Sequence, residues 1–399
     1  MDTVRRFVVL FIVVLVSVLA PGAVLAQGSR TVYVDDTGPA DPSGRGSCGH
    51  PHYATIQAAV DDMSAARIIV CRGTYTEQVA VSRSVVLEGR SGAVIQAPAA
   101  LPGQSSAIVS FAGPQQSLLQ GFTITGASTT DERFFAGVEV RDGAQVTMTR
   151  NRIRDIPDNS PIFQTGVGIY VAEARADITR NTIERYADHG ILLFGGNTFA
   201  TISGNTIRSP GASGPSGSQI GIDVREGAEA DVEDNTITGN TSDFFMDGTG
   251  IVVDQTANVS IRDNEIRYND RGIVLGDETA YVEVRGNKVR NNTSTGLLII
   301  EAAYNNVVKN EFNRNGGDGI ALRSGDPPAT GNIIDSNKAN DNGGNGISLG
   351  AGAIGNTVKN NEAIKNGAFD LTDANGGPPA NVYINNKCAK GNPPELCED

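Results

Sequence analysis

Few side chains in this 399-residue chain suit acid–base or nucleophilic chemistry. It has three histidines, four cysteines and no tryptophan. His50 and His52 lie beside Cys48 and read as loop residues. His189 stands apart in the run YADHG, next to Asp188 and within reach of Tyr186. A histidine with such neighbours can act as a general base or a ligand. Asp223 and Asp254 occur in two related segments, GIDVR and GIVVD. Carboxylates one structural repeat apart serve glycoside hydrolysis when they fall about 5–9 Å from each other. With calcium, the same pair would neutralise a uronate carboxylate, leaving Arg225 or His189 to accept a proton. Calcium is the only cofactor these residues suggest, and no metal-ligand set is fixed by spacing. A plainer account also fits: the equivalent turn YNDRG carries Arg271 where His189 stands, and outward acids are ordinary on solvated strands.

The elements that must position these groups are repeats. An Asn-led triplet recurs at Asn151, Asn181, Asn205, Asn235, Asn264, Asn287, Asn310, Asn337, Asn361 and Asn386. A second motif, Gly-aliphatic-x-aliphatic, interleaves with it from GVEV at Gly137 to GISL at Gly346. Two phased motifs sharing a period of roughly 23–30 residues indicate a solenoid. The leucine-dense L-x-x-L-x-L frame of leucine-rich repeats is missing, and helical repeats need longer uninterrupted 3.6-periodic runs. Short strands bounded by Asn or Gly predict an all-β, single-stranded parallel β-helix of about a dozen coils. Alternate side chains such as Val138/Val140 and Ile222/Val224 should point inward. Asn is expected to take the left-handed backbone of the sharp turns and to form a hydrogen-bonded ladder.

The ends need caps, because open sheet edges invite pairing. TIQAAVDDM (residues 55–63) reads as a capping helix with Thr55 as N-cap and Ile56, Ala59, Val60 and Met63 on its apolar face. The domain division expected is 1–26 export signal, 27–84 N-terminal cap and first coil, 85–380 stacked coils, and 381–399 C-terminal cap. Arg5 and Arg6 followed by the apolar run 7–20 suit a secretory signal rather than a bilayer span. Four cysteines agree with an oxidising compartment. Proximity favours Cys48–Cys71 and Cys388–Cys397, and zinc is disfavoured because neither pair has C-x-x-C spacing.

If the first and third aliphatics of each Gly-led strand point in, Glu139, Tyr170, Asp223, Arg225 and Asp254 point out. Longer segments at 154–167, 208–220 and 238–249, with a related insertion at 127–136, protrude from one corner. They carry Phe134, Phe135, Phe163, Phe244 and Phe245. Tyr170, Glu139, Asp188, Phe244 and Phe245 are therefore the expected substrate-binding residues, beside the catalytic candidates Asp223, Asp254, Arg225 and His189. Arg154, Arg208, Arg267 and Arg290 recur at one repeat position and read as an exposed ladder paired with acids. The formal charge of −13 speaks against a nucleic-acid partner.

The segment TIQAAVDDMSAARIIVCRGTYTEQVAVSRSVVLEG resembles the N-terminal coil of the pectate-lyase-like right-handed β-helix superfamily. Repeats such as GNKVRNNTSTGLLII and NGGNGISLGAGAIGNTVKNN are similar to those of NosD-like and carbohydrate-binding or sugar-hydrolase β-helix proteins. The resemblance implies a right-handed coil and action on, or binding to, polysaccharide. The R-x-P-x-x-R pattern of pectate lyases is absent, as are the paired-Asp and G-H-G signatures of polygalacturonases. The expectation is a secreted, periplasmic or surface protein, monomeric, that binds polysaccharide in a loop-lined groove. The alternative is a lyase, uronate epimerase or glycoside hydrolase acting on an acidic polysaccharide.

Overall fold

The computed structural model describes residues 30–397 apart from 38–40, 42–45, 104, 128, 160–165, 210–217 and 243–247. The expected export signal and Phe163, Phe244 and Phe245 lie outside the described residues.

Each repeat folds as one coil of a right-handed parallel β-helix. A coil visits three sheets in turn. Among the described residues the first sheet has 14 strands, the second 10 and the third 13, and every strand pair in them is parallel. Fourteen stacked strands at about 4.8 Å per step give an axis of roughly 60 Å. Inward positions stack in register: Ile153, Ile183, Ile207, Ile237 and Ile266 form one column of the second sheet, all fully buried. Val138, Ile169, Ile191, Ile222 and Ile251 form another in the third. Among the described residues no helix is long and apolar enough to cross a membrane.

Three asparagine columns hold the corners, not one. From Asn151 to Asn386, each Nδ2 donates to the Oδ1 of the next rung at 2.9–3.2 Å. A second column runs through Asn240, Asn269, Asn292, Asn315, Asn342 and Asn366 at the corner between the second and third sheets. A third links Asn305, Asn332, Asn356 and Asn381 where the third sheet returns to the first. One expectation is corrected. The left-handed residue at the first corner is the one before the ladder Asn, as at Arg150, Arg180, Asp234 and Asp263, with φ of 53–54°. The ladder Asn itself is extended inward, where its amide meets its neighbours.

The Gly-led motif has a steric cause. A Cβ on Gly221 would sit 2.5 Å from the Gly250 carbonyl oxygen and 2.5 Å from Ile237 Cγ2. Gly168, Gly190, Gly250 and Gly272 meet the next glycine in the same way. The second and third sheets close on each other there, and no side chain fits.

The N-terminal helix spans Ile56–Asp61, with Thr55 Oγ1 accepting from Ala58 N. Glu77 accepts from the Ile56 and Gln57 amides at 2.8 and 2.9 Å, satisfying two otherwise orphaned donors. Ile56, Ala59 and Val60 are buried, whereas Met63 is 62% exposed and does not belong to the capping face. The helix ends at Asp61 and so never brings that side chain round. Cys48–Cys71 and Cys388–Cys397 are both formed. Asp35 lies beside the first pair, but its sulfurs are spent in the bridge, which leaves no zinc set.

Candidate active site

The strands His189–Phe194, Ile220–Arg225 and Thr249–Asp254 lie side by side in the third sheet. Their register places His189 opposite Ile220, Leu192 opposite Asp223, and Phe194 opposite Arg225. Asp223 then faces Val252, and Arg225 faces Asp254. Asp188 precedes the first of these strands at the corner with the second sheet. The strand ends that flank the long segments expected to protrude, Ile156 and Val167, Arg208 and Ile220, Thr238 and Thr249, lie at that corner.

This geometry joins four side chains. His189 Nδ1 lies 2.7 Å from Asp188 Oδ2, and its Nε2 lies 2.9 Å from Asp223 Oδ2. Arg225 Nη2 donates to the same Asp223 oxygen. The result is a chain Asp188–His189–Asp223–Arg225. Asp223 is wholly buried, and Asp188 and His189 are nearly so. Burial pulls the His189 pKa down, but Asp188 and Asp223 outweigh it and push it up to about 10. At neutral pH the ring is an imidazolium with both N–H groups donating. Burial alone would lower the Arg225 pKa, yet Asp223 raises it on balance. Asp223 Oδ1 is buried with no hydrogen-bond partner among the described residues.

Asp254 adjoins this chain without entering it. Its register partner is Arg225, and burial together with Asp277 raises its pKa, against the opposing pull of Arg225. Asp223 and Asp254 are thus not directly opposite one another, as a simple outward pair would be; they are offset by two positions. Nor is Asp223 on a solvated face, because His189 and Arg225 close over it. Tyr186 is not a partner of His189. Its hydroxyl donates to Asn240 Oδ1 at the head of the second ladder, inside the core.

Of the other expected residues, Glu139 accepts from Ser105 Oγ at 2.8 Å and lies near Arg141. Tyr170 is half-buried, its ring edge-on to Phe135 with centroids 5.0 Å apart. Leu192, Ala136 and Val167 pack with them in a small apolar cluster outside the main core. Tyr170 and Glu139 therefore sit on the same sheet face as the four-residue chain, but one and two coils away from His189 respectively.

The burial of Asp223 carried no sequence signal. Its neighbour two residues on did: Asp-x-Arg on one strand face places an acid and a base side by side.

The family model for "Right handed beta helix region" matches residues 104–245, 165–326 and 220–389. The chain belongs to this family. Among solved structures it is similar to the Dettilon tailspike protein, at 17% identity over 88% of this chain and 70% of that one, with a TM-score of 0.63. It is also similar to the periplasmic alginate epimerase AlgG, at 16% identity over 80% and 75% of the two chains, with a TM-score of 0.56. The A-module of the Azotobacter vinelandii mannuronan C-5 epimerase AlgE4 is similar at 14% identity over 84% and 91%, with a TM-score of 0.55. At these identities the likeness is one of fold. A search of curated proteins gives no match.

Proposed function

We propose that this protein is exported and acts on an acidic polysaccharide, catalysing proton transfer at C5 of a uronate residue as a lyase or an epimerase. The observation that carries this reading is the buried Asp188–His189–Asp223–Arg225 chain at the loop-bearing corner. Both reactions begin by removing the C5 proton, which is acidic only when the adjacent carboxylate is neutralised. Arg225 is the cation for that task, with a fork that matches a carboxylate. Asp254, whose pKa is raised, is the base that takes the C5 proton. His189, whose two N–H groups are held by Asp188 and Asp223, keeps Asp223 and through it Arg225 in place. In elimination the C5–H electrons form the C4=C5 bond, the C4–O bond breaks, and the leaving oxygen takes its proton from solvent. In epimerisation Asp254 removes the C5 proton and solvent delivers a proton to C5 from the opposite face. Asp188 and Asp223 position the ring and stabilise its charge. Glu139 and Tyr170 would line the groove beyond this centre. The alginate epimerases of similar fold support this choice of substrate class.

The donor set does not fit calcium. Asp223 Oδ2 already lies between an imidazole and a guanidinium, and a divalent cation would be forced against both. Hydrolysis by an Asp223/Asp254 pair fits less well for the same reason, since Asp223 is not free to exchange a proton.

The test is a panel of polyuronates incubated in D₂O with and without chelator. Expected are deuterium at C5, or an ultraviolet-absorbing unsaturated product, unaffected by chelator and abolished by His189→Gln. Binding without isotope exchange, double bonds or new reducing ends would replace this reading by a non-catalytic glycan-binding rod.

A further inference from the structure

The three sheets differ in charge. The strands of the second sheet carry seven basic side chains and four acidic ones. In the first sheet acids exceed bases by one, and in the third the two are equal, His189 aside. The second sheet is thus the cationic face of a chain whose net charge is −13.

Its charges are built into a cluster. Glu184, with a side chain only 1% exposed, accepts from Arg152 Nε at 2.6 Å and from Arg208 Nε at 2.8 Å. Arg185 Nη1 approaches the same carboxylate at 3.5 Å. Burial raises the Glu184 pKa, but these guanidinium groups outweigh it and hold it below the usual range. Three cations surround one anion. The outer parts of Arg152 and Arg208 remain about half exposed. Asp155 takes Arg154 and a further bond from Arg185, so the group retains a surplus of two positive charges. Three coils on, Arg267 and Arg290 share Glu265, and the Arg267 guanidinium lies 5.1 Å from the ring of Tyr268, which is 54% exposed. Arg154, Glu184, Arg208, Thr238, Arg267 and Arg290 form one column in register.

From this we infer that the outward face of the second sheet is a docking track for a polyanionic glycan, separate from the groove on the third sheet. The inference rests on the acidic-polysaccharide reading and assigns the substrate's approach. The third-sheet face carries Glu139, Asp223 and Asp254 and offers a polyanion no net attraction. Arg185 lies in the strand that ends at Tyr186, and His189 opens the next one, so the arginine cluster and the imidazole flank a single corner. A carboxylate polymer lying along the column would meet an arginine at four of its six rungs, which are about 4.8 Å apart. The arginine–carboxylate pairs around Glu265 are partly exposed, hold little stability, and can exchange a protein carboxylate for one on the polymer.

The test measures binding of polygalacturonate, with dextran as the neutral control, to the full-length chain. Wild type should bind polygalacturonate and not dextran, with affinity falling steeply with salt. Arg152→Gln/Arg208→Gln should weaken binding more than tenfold. Because that pair also supports Glu184, Arg267→Gln/Arg290→Gln serves as a second variant whose partner is partly exposed rather than buried; a loss of several-fold is expected. Arg262→Gln/Arg285→Gln on the first sheet should bind as wild type does. Failed turnover by wild type with retained, salt-sensitive binding overturns only the enzymatic reading. Absence of polygalacturonate binding by wild type, or unchanged binding by both second-sheet variants, overturns the track.

Discussion

An imidazole clamped between two carboxylates gives up its proton late, and this sets the sign of two pH effects. The folded pKa of His189, about 10, lies above its ordinary 6.5. Its contribution to stability is therefore complete below about pH 6.5 and is lost as pH rises through about 10. Urea midpoints of wild type should fall across that interval, and those of His189→Gln should fall less. With the imidazolium required to hold Asp223 and Arg225, the basic limb of the rate profile should lie near pH 10, and Asp223→Asn should move it to lower pH by removing one of the two charges. An imidazole titration followed by NMR would check the shift directly. At this scale the sequence was partly legible. YADHG pointed to Asp188 as a partner of His189, and the repeat phase put Asp223 and Arg225 on one face. The phase did not show that Asp223 would be sealed by His189 and Arg225, because burial on an outward strand face depends on which long side chains reach over from the neighbouring coil.

Single coils are held by rungs, and rungs at the middle and at the end of a column are not equal. Asn235 Nδ2 donates to Ile202 O and Asn264 Oδ1, while its own Oδ1 accepts from Asn205 N and Nδ2. Asn235→Ala should cost about 1–3 kcal/mol or more, since several buried partners are orphaned at once. The terminal rung Asn386 is less enclosed, so Asn386→Ala should cost less. Both are measurable by urea denaturation. Gly221→Ala should be at least as harmful as Asn235→Ala, because the clash is with backbone and Ile237 on both sides. The first ladder and the Gly-led strands were plain in the sequence as recurrent residue types. The second and third ladders were equally present, at Asn264/Asn269 and Asn305/Asn310, but a five-residue offset inside a repeat looks like ordinary turn composition until the corners are seen to stack.

At the scale of the whole molecule, stability is a sum over neighbouring coils, so damage at one end stays there. Cys388–Cys397 ties a nine-residue separation at the C-terminal end, far from His189. Cys388→Ser/Cys397→Ser should raise amide hydrogen exchange in the last two or three coils and leave the coils from 181 to 264 protected as before. Spread of the change to His189 would contradict this view of nearly independent ends.

The coils beyond Asn310 take no part in the proposed chemistry or in the arginine column. Their number is therefore free to vary, like links in a chain. Deleting residues 338–361, one full period between equivalent asparagines, would rejoin the backbone in matching register. The product would be a rod about 4.8 Å shorter, with the coils that carry His189 and Asp223 untouched. The molecule has in effect a built-in ruler, and its length can change without cost to whatever the upper windings do.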